Sequence, residues 1–167
     1  MTLSHLDAAG RARMVDVSGK PISARRAVAE GEVRMSAEAF ARVRDASSAK
    51  GDVIAVAELA GVMAAKRTGD LVPLCHPVPL DRVEVTAEPV ADWPGVRVTA
   101  TTRAEARTGV EMEALVAVSI ACCTVFDMVK SADRGAWITG IRVLEKSGGA
   151  RGDWRALDLM GPLKEHE

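Results

Sequence analysis

The acidic and basic residues best placed for chemistry are Asp127 and Lys130, which close an apolar run over residues 108–130. Three positions apart on a helix, their side chains lie next to each other. One interpretation is an exposed salt bridge, worth only about 0.3 to 0.5 kcal/mol. Because residues 120–126 are nearly all apolar, we favour a second one, in which the pair emerges at the lip of a desolvated cleft that tunes its pKa values.

His76 is the one histidine away from the two ends of the sequence, and three prolines occur around it within residues 71–80. A lone histidine is often structural, but a rigid backbone is also how a catalytic or ligand-binding imidazole is held. Both interpretations stay open. A zinc site is disfavoured, since Cys75 adjoins His76, Cys122 adjoins Cys123, and no CxxC or HxxxH spacing occurs.

Basic residues recur at the ends of the predicted elements, which is typical of solvated termini and of cations near helix C-termini. The set consists of Arg25, Lys50, Lys66, Arg67, Lys130 and Lys146. Lys146 differs from the others because SGGARGD follows it at residues 147–153. The glycines there offer backbone N–H groups to a phosphate, although no P-loop spacing is present and a flexible tail is equally allowed.

Two carboxylates, Glu111 and Glu113, lie near the start of the long apolar run. The helix dipole alone favours acids in a first helical turn. The fourteen positions from Glu113 to Asp127 correspond to about 21 Å along a helix. On a continuous helix these two residues therefore serve different sites, or a neighbouring subunit completes a site.

The composition excludes several classes of protein. With 167 residues, 48% of them hydrophobic, and a net charge of -1, the chain is expected to form one domain and is not a general polyanion binder. Two Phe, three Trp and no Tyr leave little for stacking single-stranded nucleic acid. Three cysteines and no N-terminal hydrophobic segment predict a cytoplasmic protein with reduced thiols.

The hydrophobic periodicity predicts four strands and two helical regions, the first of them in two pieces. The strands are expected at residues 26–35, 82–90, 96–103 and 136–146, and the helices at 37–46, 53–67 and 110–130. Ser36 is a candidate N-cap, and Trp93-Pro94-Gly95 suits the type II turn of a hairpin. This order predicts an α+β fold, a ferredoxin-like βαββαβ sandwich with an antiparallel sheet and helices on one face.

Residues 21–153 are expected to form a single domain between a mobile N-terminal arm at 1–20 and a mobile C-terminal tail at 154–167. The thirteen residues between the inner charges of the long helix are too few for a membrane span, which needs about 20. That helix is apolar on almost every side, so one sheet face cannot cover it. The chain is therefore expected to be homo-oligomeric.

Four segments together resemble one family, in both order and spacing. They are KRTGDLVPLCHP at 66–77, TGVEMEAL at 108–115, DMVK at 127–130 and KSGG at 146–149. The family is cyclic pyranopterin monophosphate synthase, the molybdenum cofactor biosynthesis protein C. The similarity runs from about residue 14 to residue 153.

The resemblance implies a ferredoxin-like catalytic subunit in a homohexamer, a trimer of dimers with active sites at subunit boundaries. The implied lyase reaction converts 3′,8-cyclo-7,8-dihydro-GTP to cyclic pyranopterin monophosphate and releases pyrophosphate. No cofactor is required, a magnesium ion is compatible with the chemistry, and neither nucleic acid nor a membrane is a partner.

The resemblance also suggests roles for individual residues. The catalytic set is Asp127, Lys130, Lys50 and His76. The substrate-binding set is Leu74, Cys75, His76, Met112, Glu113, Lys66 and Lys146, to which we add Arg25 and Glu111. No metal ligand is expected.

Two positions depart from the pattern expected of the family. Phe126 stands where Tyr is expected, so no mechanism here uses a hydroxyl at that position. Arg107 stands where Lys is expected, which keeps the charge but loses a titratable ammonium. A role in proton transfer is therefore disfavoured at position 107, whereas the retained positive charge still allows phosphate binding.

Two other classes of function compete with this one. A nucleic-acid-binding ferredoxin-like module is disfavoured by the near-neutral charge and the aromatic-poor strands. A purely structural oligomer would leave unexplained the Lys, His and Asp residues at the ends of elements.

Overall fold

The chain combines one antiparallel sheet with helices. The computed structural model describes Leu6 and residues 9–45, 51–150 and 152–156. Its elements are β1 Ser23–Arg34, α1 Ala37–Arg44, α2 Val53–Ala65, α3 Thr68–Leu71, β2 Arg82–Val90, β3 Gly95–Ala106, α4 Glu111–Val129, β4 Trp137–Ser147 and β5 Trp154–Arg155. The strands are arranged in the order β2-β3-β1-β4-β5, with antiparallel neighbours throughout. The predicted antiparallel sheet with helices is confirmed.

The sheet has one buried and one polar face because side chains alternate along a strand. The buried side of β1 carries Ala27, Ala29, Gly31 and Val33, and these residues adjoin the core formed with α2 and α4. The alternate side chains form ion pairs on the opposite face, among them Arg142 with Glu30 at 2.8 Å. The helical layer therefore lies on one side, and charged residues lie on the other.

Helix α4 packs against both α2 and the sheet. Over the part of the chain that the structure describes, it is the one helix long and apolar enough to cross a membrane by length and composition. Half of its most apolar stretch is buried inside the structure. Packing against α2 and four strands accounts for this apolar composition, as expected of a core helix.

Close packing of α4 depends on two glycines. A Cβ added at Gly31 of β1 would lie 2.7 Å from Val118 Cγ1 on α4. A Cβ at Gly61 of α2 would lie 3.1 Å from the carbonyl oxygen of Ala117. The absence of a side chain at Gly61 thus lets α2 and α4 approach each other closely.

The predicted N-cap at Ser36 and the predicted hairpin are confirmed. Ser36 accepts a hydrogen bond from the Ala39 N–H, and Asp52 caps α2 by accepting from Ile54 and Ala55. The prediction of a type II turn is wrong, because Gly95 does not have the positive φ that this turn requires. Gly95 is needed for a different reason, since a Cβ there would collide with the Val33 carbonyl oxygen.

Several strand and helix boundaries differ from those that the hydrophobic periodicity predicted. Strand β1 begins at Ser23 rather than residue 26, and β3 continues to Ala106, because the two strands stay paired over their whole length. The short helix α3 precedes the proline-rich segment, and β5 pairs with β4 within the expected tail. Neither was predicted. The mobility expected of residues 1–20 and 154–167 stays a prediction.

The three cysteines are free thiols in different surroundings. Cys122 is buried, Cys75 is partly buried and Cys123 is exposed. Burial raises the pKa of Cys122 to about 12, so this residue stays a protonated thiol in the core.

Replacement of Gly31 by alanine should destabilise the protein because the new methyl group meets Val118, a β-branched residue with few rotamers on a helix. We expect a loss of about 1 to 3 kcal/mol in the free energy of unfolding, measured by denaturant titration. The matched control is Gly19→Ala, where a Cβ meets no atom within 4 Å. Equal stability of the two variants would contradict the close α4–β1 contact.

Candidate active site

A cleft of about 380 Å³ opens where three strand ends and the start of α4 meet. The first residues of β1 pair with the last residues of β3 and β4, so antiparallel pairing brings distant parts of the chain to one place. The lining includes the cations Lys20, Arg25, Arg107 and Lys146, the imidazole of His76, and one carboxylate, Glu111. We call this the basic cleft. Four cations facing a single carboxylate make it suitable for a polyanion.

Arg25 is held at the edge of the basic cleft by the backbone around it. Its Nε donates a 3.1 Å hydrogen bond to the carbonyl oxygen of Ala106 at the end of β3. A Cβ at Gly149 would collide with the Arg25 guanidinium, and Gly148 and Gly149 have φ values of 85° and 86°. The paired glycines therefore allow the turn and also leave room for the arginine.

The segment after Lys146 does lie at the basic cleft, as its glycines suggested. Ser147, Gly148 and Gly149 all contribute to the lining. The Lys146 Nζ donates a 2.8 Å hydrogen bond to the Gly152 carbonyl oxygen. The Gly148 N–H donates to Asp153 Oδ1 at 3.1 Å, so this amide already has an acidic partner.

A second cavity, the Glu113 pocket, has a volume of about 310 Å³ and is lined by Glu113, Lys66 and parts of residues 65–70 and 77–79. Glu113 is only 2% exposed, and its Oε2 has no hydrogen-bond partner among the described residues. Burial raises the pKa of this carboxyl, and the nearby charge of Glu111 adds to the rise. The proton is therefore held more tightly than on an exposed glutamate.

Cys75 connects the proline-rich segment to Glu113. Its Sγ lies 3.9 Å from Glu113 Oε1, within range of a weak thiol hydrogen bond. Burial, and then the neighbouring carboxylate, raise the pKa of the Cys75 thiol. The next residue, His76, lines the basic cleft. Of the predicted residues, His76 and Glu111 therefore line the basic cleft and Glu113 lines its own pocket, while Cys75 lines neither cavity and contacts Glu113.

Other predicted residues lie outside both cavities. Leu74 is partly buried and Met112 is 37% exposed, and neither contributes to either lining. Lys50 lies outside the described residues.

Asp127 and Lys130 form an ion pair at the opposite end of α4, with 2.6 Å between Lys130 Nζ and Asp127 Oδ1. Their side chains are 56% and 54% exposed, and they line neither cavity. Within one chain the pair thus lies in solvent and not at the lip of a desolvated cleft. Helix α4 is continuous between Glu111 and Val129, so Glu113 and Asp127 are about 21 Å apart along it.

Sequence reasoning missed some of the lining. Val15, Val17 and Lys20 belong to the expected N-terminal arm but border the basic cleft. No periodic pattern marks these residues, because their position depends on where the chain passes before β1. Arg107 was noted only as a departure from a family pattern. Within the described ranges, no group of three or more His, Cys, Asp or Glu side chains is arranged to hold a metal ion.

Comparison with known proteins gives consistent matches. The MoaC family model matches residues 14–149. A protein of Methylobacterium sp. (strain 4-46) is 58% identical over 155 residues, covering 93% of this chain and 97% of the relative. Proteins of Brucella ovis and Cereibacter sphaeroides are 55% and 57% identical, covering 93% and 92% of this chain and 94% and 97% of their own lengths. All three are named cyclic pyranopterin monophosphate synthase. The chain therefore belongs to the MoaC family.

Proposed function

We propose that this chain is a cyclic pyranopterin monophosphate synthase acting in molybdenum cofactor biosynthesis. The reaction converts 3′,8-cyclo-7,8-dihydro-GTP to cyclic pyranopterin monophosphate and releases pyrophosphate. The basic cleft is the observation that carries this proposal, because it concentrates four cations in a chain whose net charge is -1. The names of the relatives agree with it.

The strand order supports a ferredoxin-like assignment of the fold. Strands β2, β3, β1 and β4 lie side by side, and helical segments connect β1 to β2 and β3 to β4. This order supports an interpretation as two interleaved split βαβ units, the arrangement of the ferredoxin-like sandwich. Helices α1 and α3 and strand β5 are additions to it.

In the proposed reaction the basic cleft holds the phosphates. Arg25 and Arg107 present planar guanidinium groups that suit bidentate phosphate binding, and Lys146 presents a point charge. Charge develops on the leaving pyrophosphate as the cyclic phosphate forms. Fixed cations at this position stabilise that charge more in the transition state than in the ground state.

The Glu113 pocket suits the ring end of the substrate. Glu113 Oε2 is buried and unpartnered among the described residues, so it is available to an N–H group of the guanine-derived ring. Lys66 lines the same pocket and provides a donor. Burial makes a correctly formed hydrogen bond here more valuable than one in water.

Asp127 and Lys130 are proposed as the base and acid that move protons during ring opening and closure. Because they lie about 21 Å along α4 from Glu113, a neighbouring subunit must bring its own pair to the clefts. The exposed apolar residues Val56, Leu59 and Met63 on α2 support such an assembly. We propose a homohexamer built as a trimer of dimers, with sites at the subunit boundaries.

Lys50 is proposed to join this catalytic set together with His76. No cofactor is required, and a magnesium ion bound to the substrate phosphates is compatible with the mechanism. Nucleic acid and membrane are not proposed as partners. The free thiols of all three cysteines are compatible with the proposed cytoplasmic location.

The reaction is tested by supplying the cyclised GTP intermediate and measuring pyrophosphate together with a fluorescent pterin after oxidation. Wild-type protein should produce both, and production of neither would reject the proposed function.

Asp127→Asn and Lys130→Ala should each lower kcat by roughly 100-fold to 10,000-fold, with unchanged circular dichroism. The exposed Asp92 provides a control, since Asp92→Asn should retain full turnover.

Burial of Glu113 should make stability depend on pH. A carboxyl whose folded-state pKa is raised contributes fully below its unfolded pKa, and stability falls as pH rises through the folded pKa. Glu113→Gln should therefore be more stable than wild type at pH 8, by on the order of 1 kcal/mol, and lose this advantage near pH 4. Glu88→Gln changes an exposed position on β2, so its stability difference from wild type should be the same at both pH values. Thermal unfolding of both proteins is measured at pH 4 and pH 8. If Glu113→Gln differed from wild type by the same amount at both pH values, the raised pKa of Glu113 would be contradicted.

A shared site predicts complementation between two inactive chains. Glu113→Ala and Asp127→Ala chains should each be inactive as homo-oligomers. When equal amounts are refolded together, about a quarter of the sites should combine an intact Glu113 with an intact Asp127 from the neighbour. Turnover should recover to about that fraction of wild type, and co-purification of an untagged chain with a tagged one should confirm that mixed oligomers formed. Mixed oligomers without activity would show that each chain supplies both residues to its own site.

A further inference from the structure

Thr102 places a hydroxyl group on the apolar side of the sheet. Its side chain is fully buried, and the other inward-facing residues of β3 are all valine or alanine. Valine has nearly the same shape as threonine, and burying a hydroxyl in apolar surroundings costs free energy unless it is hydrogen-bonded. Packing alone therefore favours valine at this position, so the hydroxyl requires another explanation.

The Thr102 hydroxyl holds the peptide with which α4 begins. Its Oγ1 donates a 2.9 Å hydrogen bond to the carbonyl oxygen of Val110, the residue directly before the helix. That carbonyl belongs to the same planar peptide unit as the N–H of Glu111. A hydrogen bond from β3 to this oxygen therefore orients the first peptide of the helix relative to the sheet.

Little else fixes the start of α4. No side chain among the described residues caps the helix at Val110, whereas Ser36 and Asp52 cap α1 and α2. The first backbone hydrogen bond of the helix, from the Ala114 N–H to the Val110 carbonyl oxygen, is 3.3 Å long. An N–H···O bond is more often about 2.9 to 3.0 Å. Thr102 is thus the closer of these two donors and takes the place of a cap.

The first turn of α4 carries a carboxylate into each of the two cavities. Glu111 lines the basic cleft, and Glu113 lines the Glu113 pocket. The Glu111 carboxylate folds back over Gly109, where an added Cβ would collide with it. Glu113 is almost fully buried. A rotation of the first peptide would therefore move both carboxylates at once.

We propose that Thr102 is a positioning residue for substrate binding, acting through the first turn of α4. This inference rests on the proposed function, in which Glu113 binds the ring end of the substrate. Thr102 lines neither cavity, so its hydroxyl affects the substrate only through the positions of Glu111 and Glu113. The proposed acid–base pair, Asp127 and Lys130, lies at the other end of the helix. Loss of the hydroxyl should therefore weaken binding more than it slows the chemistry.

The test is Thr102→Val in the turnover assay. KM should rise by roughly threefold to 30-fold, the loss expected when a buried hydrogen bond is removed. Turnover at saturation should stay within about twofold of wild type, because a raised KM at constant kcat marks an interaction that served binding. The matched control is Ser119→Ala, which removes another hydroxyl bond of α4, the 2.8 Å bond to the Leu115 carbonyl oxygen. It should change neither constant.

A conservative variant separates the hydroxyl from packing. Thr102→Ser keeps the hydroxyl and loses a buried methyl group, so its midpoint of thermal unfolding should fall while its KM stays near that of wild type. Thr102→Val should show the opposite pattern, a raised KM with a midpoint close to wild type. A purely structural role would make KM follow the midpoint in both variants.

Several results would overturn the role of Thr102 and leave the proposed function intact. They are an unchanged KM in folded Thr102→Val, an equal rise of KM in Thr102→Ser, or a fall in kcat alone. If Thr102→Val does not fold, Thr102→Ala takes its place and should show the same rise in KM, because it also lacks the hydroxyl. Absence of turnover in wild type would reject the proposed function and the inference with it.

Discussion

The close contact between α4 and β1 is the constraint on which the remaining geometry depends. No side chain fits at Gly31, so the helix lies directly on the sheet, and its small residues Ala114, Ala117 and Ala121 are fully buried. The start of the helix is fixed by Thr102, whose hydroxyl donates to the Val110 carbonyl oxygen at 2.9 Å. The side chains in the first turn of α4 therefore have fixed positions relative to the ends of β1, β3 and β4. Both cavities follow from this one packing arrangement.

That arrangement also has an energetic cost. Glu113 is carried into the protein with an oxygen that has no partner among the described residues, although an unpaired buried carboxyl destabilises the folded state. Arg25 occupies a strand position on the side of the sheet that otherwise carries alanine and valine. Residues that lower stability in this way are expected where binding or catalysis requires them. Their concentration at one end of the sheet supports the location of the proposed site there.

The sequence was sufficient wherever a local pattern determines the structure. The alternation in β2 and β3, the apolar run of α4 and the cap at Ser36 each depend on neighbouring residues, and each was predicted within a few positions. The start of β1 was missed because Arg25 breaks the alternation of small and charged residues. Helix α3 was missed because the prolines nearby suggested an extended path, whereas its single turn ends before Pro73.

The site could be predicted only in part, for a different physical reason. His76 and Lys146 were recognisable from their sequence contexts, but their meeting with Lys20 and Arg107 depends on tertiary strand pairing. No one-dimensional pattern records which strand ends become neighbours. Strand β5 gave even less signal, since two residues cannot show a period. It is recognised only from its pairing with β4, which places Trp154 opposite Lys146.

Helix α4 also sets a condition on how the proposed catalyst is assembled. A continuous helix of 19 residues separates its two charged ends by a fixed distance, because its backbone hydrogen bonds prevent it from shortening. Glu113 at one end is buried beside the proposed ring pocket, while Asp127 and Lys130 at the other end are more than half exposed. Proton transfer in a desolvated site requires both groups to be removed from water. In the proposed oligomer, docking of a second chain would supply this desolvation and deliver the pair to the neighbouring clefts in one step. Folding alone would then leave the chain inactive, and catalysis would begin only with assembly.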